Sequence, residues 1–242
     1  MTTERTETIT AADGETCDGW TYVPDEGRGP GILLLQEIFG VGSFVRSKAN
    51  DLADLGYVVL APDVFFRTER HVAHAHDEAG LGAAYGSMTK WAEEVSEDQR
   101  RADLVAALEH LRRLPEVNGG KVAVMGYCLG GRLAYEVAAA GEPDACVSYY
   151  GSGIGEQLDA TASSITCPVL FHYGDADPFI PNEEVDAVEA AFAGRDDVTV
   201  HRHAGAGHAF ENFEAPMFWN EAAAAHSWEL STDFLAEHLD LG

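Results

Sequence analysis

The sequence predicts an α/β fold, with a mostly parallel central sheet covered by helices on both faces. Three observations predict it. Short apolar runs of strand length recur along the chain. Most are followed by a stretch with helical spacing of apolar residues. No repeat, low-complexity tract or linker interrupts the alternation, so residues 1–242 read as one domain.

The elements follow in order. The chain opens on two short strands turning near Asp13-Gly14. Residues 31–36 (GILLLQ) form a continuous apolar run, as in a strand buried on both faces. Ser43 is placed to cap a helix with Val45, Ala49 and Leu52 on one face, stopped by Gly56. Residues 57–61 (YVVLA) are the next buried strand, ended by Pro62. Residues 63–97 are less regular and read as loops and short helices over one end of the sheet. A longer helix carries Leu104, Val105, Leu108, Leu111 and Leu114 at helical spacing. Residues 121–125 are a strand, 129–140 a helix, and 145–150 and 168–173 strands. Asn182 is expected to cap a helix with Val185, Val188 and Phe192 inside. Residues 198–203 alternate as a strand, and a last helix over 220–238 is expected to bury Trp228, Phe234 and Leu235. In such folds, ligand sites lie beyond the carboxyl ends of the strands.

Composition narrows the function. Hydrophobic residues make up 46% of the chain, which excludes a disordered protein. Forty-one acidic residues face fifteen basic ones, for a net charge of −26. Nucleic acid and anionic membrane surfaces are therefore not expected partners, since both need clustered Lys and Arg. The excess runs along the whole chain. It fits either an ordinary acidic protein or, as the sharper reading, a halophilic one adapted to molar salt, where self-repulsion is screened. Cys17, Cys128, Cys146 and Cys167 show no scaffold spacing, so free thiols in a reducing compartment are expected. The N-terminus has neither the basic nor the apolar region of a signal peptide, and no run approaches a membrane span. The expected location is cytoplasmic, as a monomer or small homo-oligomer.

The chemistry concentrates after three strands. Strand KVAVM leads into Gly126-Tyr127-Cys128-Leu129-Gly130-Gly131 and then a helix. This is a nucleophile elbow with cysteine at its apex, the mark of an α/β-hydrolase fold. The helix directs its positive end at Cys128 and favours thiolate. Cys146 and Cys167 sit in or beside apolar strands and read as core. A thiolate nucleophile needs a histidine, and the histidine an orienting carboxylate. His208 follows a strand in the loop Gly205-Ala206-Gly207-His208. Two aspartates compete in Gly-Asp-Ala-Asp-Pro-Phe-Ile-Pro at 174–181. Asp177 is chosen over Asp175 by its spacing to Pro181, although either can brace the turn. The order Cys128, Asp177, His208 is the nucleophile–acid–histidine order of α/β-hydrolases. The backbone amides of Ile38 and Leu129 occupy the places of an oxyanion hole. Glu37, beside an apolar strand, is a functional carboxylate or a turn residue; the cost of burying charge favours function.

Together QEIFG at 36–40, APD at 61–63, GYCLGG at 126–131, GDADPFIP at 174–181 and GHAF at 207–210 resemble the dienelactone hydrolase family across most of the chain. The resemblance implies a Cys128–His208–Asp177 triad acting on a small-molecule ester or lactone through an acyl-enzyme. It further implies that Glu37 interacts with the Cys128 thiol and helps generate thiolate. One departure concerns substrate. Family members that act on dienelactone grip its carboxylate with arginines, one of them shortly after the catalytic histidine. Here Ala209-Phe210-Glu211-Asn212 holds none, and none is evident over 78–91, although Arg67 and Arg70 lie nearby in sequence. Weak preference for anionic substrates is therefore expected.

The other readings are a general carboxylesterase or thioesterase on the same site, and a non-catalytic ligand-binding or thiol-sensing protein of this fold. His71, His74 and His76, and the pair His201 and His203, have loose metal-like spacings without a clear further ligand. No glycine-rich nucleotide motif is present. The expected site needs neither metal nor cofactor.

Overall fold

The computed structural model describes residues 2–117 and 119–241. Its strands are β1 (Thr3–Thr10), β2 (Thr16–Val23), β3 (Gly31–Leu35), β4 (Val58–Pro62), β5 (Val122–Tyr127), β6 (Ala145–Tyr149), β7 (Val169–Gly174) and β8 (Val198–His203). The helices are α1 (Ser43–Asp54), α2 (Glu78–Glu94), α3 (Glu97–Arg113), α4 (Leu129–Ala140), a single turn α5 (Leu158–Thr161), α6 (Asn182–Ala191) and α7 (Glu221–Leu239). The strands form one eight-stranded sheet in the order β1-β2-β4-β3-β5-β6-β7-β8. β1 and β2 make an antiparallel hairpin, and β2 joins β4 antiparallel; the strands from β4 to β8 are parallel to their neighbours. This is the α/β-hydrolase architecture that the elbow motif predicts.

Every residue of β3, β4, β5, β6 and β7 is buried, as a parallel sheet covered on both faces requires. Gly56, at φ +104°, closes α1 as expected. The carboxyl ends of β3, β5, β7 and β8 therefore open at one end of the sheet, and their loops can meet there.

Four local expectations need correction. Residues 78–94 form one continuous helix rather than loops and short helices. Its buried side is only Ala84, Ser87 and Trp91, and Gly80, Gly82 and Gly86 dilute the apolar stripe that would reveal it in the sequence. Ser43 does not cap α1, because Gly42 holds the cap position and accepts the Arg46 amide. Pro181 takes the cap position of α6, and the Asn182 side chain donates to Asp175 O instead (3.2 Å). In α7 the buried stripe is Ala223, Ser227, Ser231, Leu235 and Leu239, while Trp228 and Phe234 are only partly covered. Small side chains bring α7 close to β6, where the buried Tyr149 hydroxyl lies 2.7 Å from Ser231 Oγ and donates to Ser227 O at 3.0 Å.

Candidate active site

Cys128 sits between β5 and α4 at φ +54° and ψ −116°, a region that few side chains tolerate. Glycine at 126 permits the tight turn: a Cβ there would fall 2.0 Å from Gly130 O. The turn is held by the Cys128 amide donating to Tyr149 O at 3.0 Å. Cys128 is the N-cap residue of α4, which starts at Leu129.

His208 arrives from the loop after β8. Its Nε2 is 3.1 Å from Cys128 Sγ, and its Nδ1 is 2.8 Å from Asp177 Oδ2. The ring is buried between Tyr150 and Phe179, each with its centroid 5.3 Å away. Burial is the largest influence on His208 and disfavours its charged form. The Cys128 sulfur and the Asp177 carboxylate together outweigh it and raise the imidazole to about 10. Asp177 is fixed in turn, since its Oδ1 accepts the Phe179 and Ile180 amides at 2.8 and 3.3 Å. Asp175 faces elsewhere and accepts the Gly205 amide at 2.6 Å.

A cavity of about 330 Å³ opens over the sulfur, lined by Glu37, Ile38, Leu129 and His208 among others. Its walls are mainly apolar, from Phe39, Leu81, Tyr85, Met88, Phe179 and Phe218. Among the described residues, neither the Ile38 nor the Leu129 amide donates to a backbone acceptor, and both residues line this cavity. Glu37 is 2% exposed; its Oε2 accepts from Asn212 Nδ2 at 2.6 Å, and its Oε1 is buried without a partner. A larger depression of about 900 Å³ lies at the opposite end of the sheet, beside Pro30 and Lys121, with no cysteine or histidine in its lining.

The chain has relatives over most of its length. The family model of the dienelactone hydrolase family matches residues 17–239. The chain belongs to the dienelactone hydrolase family. A carboxymethylenebutenolidase of Pseudomonas putida is 35% identical over 229 residues, covering 94% of each chain. One of Rhodococcus opacus is 34% identical, covering 90% of this chain and 85% of its own. Among solved structures, the dienelactone hydrolase-like promiscuous phosphotriesterase P91 from metagenomic libraries superposes with a TM-score of 0.77 at 28% identity, over 98% of this chain and 99% of that one. A Klebsiella pneumoniae protein gives 0.80 at 25% identity, over 97% and 99%. This member of the dienelactone hydrolase family is thus an ester hydrolase.

Several polar residues of this family member lie differently from what the sequence led one to expect. Arg67 is spent on Asp103 and Asp13, and Arg70 on Thr16 O; neither lines the cavity. Arg132 does, one helical turn after Cys128 on α4, with its Nε donating to Glu136 at 3.0 Å. Sequence reasoning missed it, although the i, i+4 spacing from Cys128 was a usable signal. Asn212, noted only for not being an arginine, is the hydrogen-bond partner of Glu37. The histidines of the segment after β4 separate: His71 meets Asp18, His74 meets Ser87, and His76 faces Glu37. His203 is buried, 3.0 Å from His172. No group of three candidate ligands able to hold a metal occurs among the described residues.

Proposed function

We propose that this enzyme cleaves a small, largely apolar ester or lactone through a Cys128 acyl-enzyme. The observation that carries this reading is the hydrogen-bonded line from Cys128 Sγ through His208 to Asp177, at 3.1 and 2.8 Å. The raised His208 favours imidazolium beside the Cys128 sulfur, and the start of α4 adds a field that favours negative charge there. The sulfur attacks the acyl carbon, and the carbonyl π electrons move to oxygen. The Ile38 and Leu129 amides hold that oxyanion. As the carbonyl reforms, the C–O bond breaks and His208 gives its proton to the leaving alkoxide or enolate. His208 then takes a proton from water, whose oxygen attacks the thioester and releases the acid. Asp177 keeps His208 in the required tautomer. Glu37 assists by taking the thiol proton when the sulfur faces it.

The relatives' name, carboxymethylenebutenolidase, supports a lactone, whereas the apolar walls favour neutral esters as well. Among the described residues, no helix is long and apolar enough to cross a membrane. The net charge of −26 supports an enzyme without nucleic acid or anionic membrane partners, and we propose a cytoplasmic monomer or small homo-oligomer. The test is turnover of an activated aryl ester beside a panel of lactones. Turnover lost in Cys128→Ala supports the mechanism, and turnover retained there overturns it. Absence of turnover in the native chain favours a binding or thiol-sensing role.

A further inference from the structure

The segment between β4 and α2 is bonded along the turn that carries Glu37. The Val41 amide donates to Val72 O at 3.1 Å, and the His74 amide donates to Phe39 O at 2.9 Å. Gly40 pairs with Ala73 in an isolated antiparallel bridge. Only glycine allows this approach: residue 40 is at φ +85°, and a Cβ there would lie 1.9 Å from Val72 O.

Two residues beyond His74, the His76 ring lies against Phe39, with centroids 4.1 Å apart. The His76 side chain is 6% exposed, and its Nε2 stands 3.8 Å from Glu37 Oε2. That nitrogen is buried without a hydrogen-bond partner, as is Glu37 Oε1. Unpaired buried polar atoms are costly, and two in one place call for a use.

We propose that His76 is a positioning residue for Glu37. Together with Asn212 it holds Oε2, and so leaves Oε1 as the oxygen that takes the Cys128 proton. The inference rests on the reading of Glu37 as that acceptor. Closing the gap from 3.8 Å to about 3 Å makes an ordinary Nε2–H···Oε2 bond. The His76 Nε2–H donates this bond and keeps its proton. The Cys128 S–H bond breaks, an O–H bond forms at Glu37 Oε1, and the electron pair stays on sulfur. The other ionisable groups around His76 are Asp77 and Glu78 at the head of α2, which share its side pocket.

The experiment uses Glu37→Gln, His76→Gln, His76→Phe and the Glu37→Gln/His76→Phe double variant. It reads kcat and KM on p-nitrophenyl acetate, and the rate of Cys128 alkylation by iodoacetamide, from about pH 5 to about pH 8, the range in which an unperturbed imidazole changes charge. His76→Phe is expected to lose roughly ten- to a hundredfold in kcat with KM within about twofold, the scale of a small misplacement of a reacting group. His76→Gln should recover most of that loss, because its amide donates the same bond. The double variant should be no slower than Glu37→Gln alone. A glutamine as poor as phenylalanine, or losses that multiply in the double variant, overturns the role of His76 and leaves that of Glu37 standing. Unchanged kcat and alkylation in Glu37→Gln overturns the Glu37 reading, and this inference with it.

Discussion

Asp177 Oδ2 lies 2.8 Å from His208 Nδ1, while the neighbouring Asp175 gives its carboxylate to the Gly205 amide. Two acids two residues apart thus have separable tasks. Asp177→Asn should lower kcat by several hundredfold or more, given losses on the order of 10⁴ for the equivalent change in a serine triad. Asp175→Asn should cost only stability, through one turn hydrogen bond worth about 1 kcal/mol. Steady-state kinetics on an activated aryl ester decides between them, and the reverse ranking would show that Asp175 orients the histidine.

The four cysteines should react very unequally. Burial pushes the Cys17 thiol up to about 12 and Cys167 up to about 11, and raises Cys146 well above the ordinary thiol range. Cys128 is partly exposed and borders the cavity. Near neutral pH, iodoacetamide should add one alkyl group at Cys128, with activity lost in step. Cys146→Ala should keep its turnover, and Cys128→Ala should lose it with its melting curve unchanged. Peptide mass mapping that finds first labelling elsewhere would contradict this ordering.

Arg132 revises the expectation about anionic substrates. It is the one Lys or Arg lining the cavity among the described residues, though Glu136 accepts from its Nε. A substrate carboxylate at the Arg132 end of the cavity would gain a partly neutralised cation. Arg132→Gln should raise KM for a carboxylate-bearing ester about three- to tenfold, a modest share of the range for truncated charge pairs. KM for the matching methyl ester should stay within about twofold. Equal shifts for both esters would mean that Arg132 serves the fold and not the substrate.

His172 and His203 form a buried pair at 3.0 Å under α7, with His172 also 3.0 Å from Ser231 Oγ. Burial first, then the neighbouring histidines, holds His172 well below the ordinary histidine value of 6.5 and lowers His203 to about 4. Both groups are neutral when folded and charge more readily when unfolded. Their contribution is therefore complete above about pH 6.5 and is lost as pH falls toward about 4. Glu211 works in the opposite sense. Burial, only partly offset by Lys48, raises it to about 7, so its contribution is lost as pH rises through that value. The comparison of variant with native chain removes the Glu211 contribution. Between about pH 6.5 and about pH 4.5, the melting temperature of His203→Gln should fall less steeply than that of the native chain. Parallel curves would rule out the histidine pair as the source.

The elbow was legible because its backbone geometry demands particular residues: glycine at 126 and 130, Cys128 raised between them, and a strand and a helix on either side. Asp177 and His208 were legible because each follows a strand whose carboxyl end must open at the same face. What escaped depended on tertiary paths. His76 reaches Glu37 only because the segment after β4 is bonded to the Phe39–Val41 turn, and no periodicity records that. Arg132 required knowing that α4 turns this side chain into the cavity. The serine face of α7 looked polar, since its purpose lies in a tyrosine hydroxyl about eighty residues away in sequence.

The charge balance gives the last prediction. Each of the fifteen basic side chains could pair with one acid and still leave twenty-six of the forty-one acids in excess. Several of the contacts that form are short: Arg67 to Asp103 at 2.6 Å, Arg202 to Asp186 at 2.6 Å, and Lys121 to Asp240 at 2.7 Å. At ~0.01 M salt the screening length is about 30 Å, so the unpaired acids repel across the whole domain. At ~1 M it is about 3 Å. The repulsion is then nearly gone, while pairs in direct contact keep much of their attraction. Salt therefore removes more repulsion than attraction, and the folded state gains because it is the compact one. The melting temperature should rise steadily from low to molar KCl, with activity following it. An ordinary acidic protein, with its charges spaced to avoid one another, would change by only a few degrees. A melting temperature flat across this range would refute the halophilic reading and leave the Cys128–His208–Asp177 chemistry untouched.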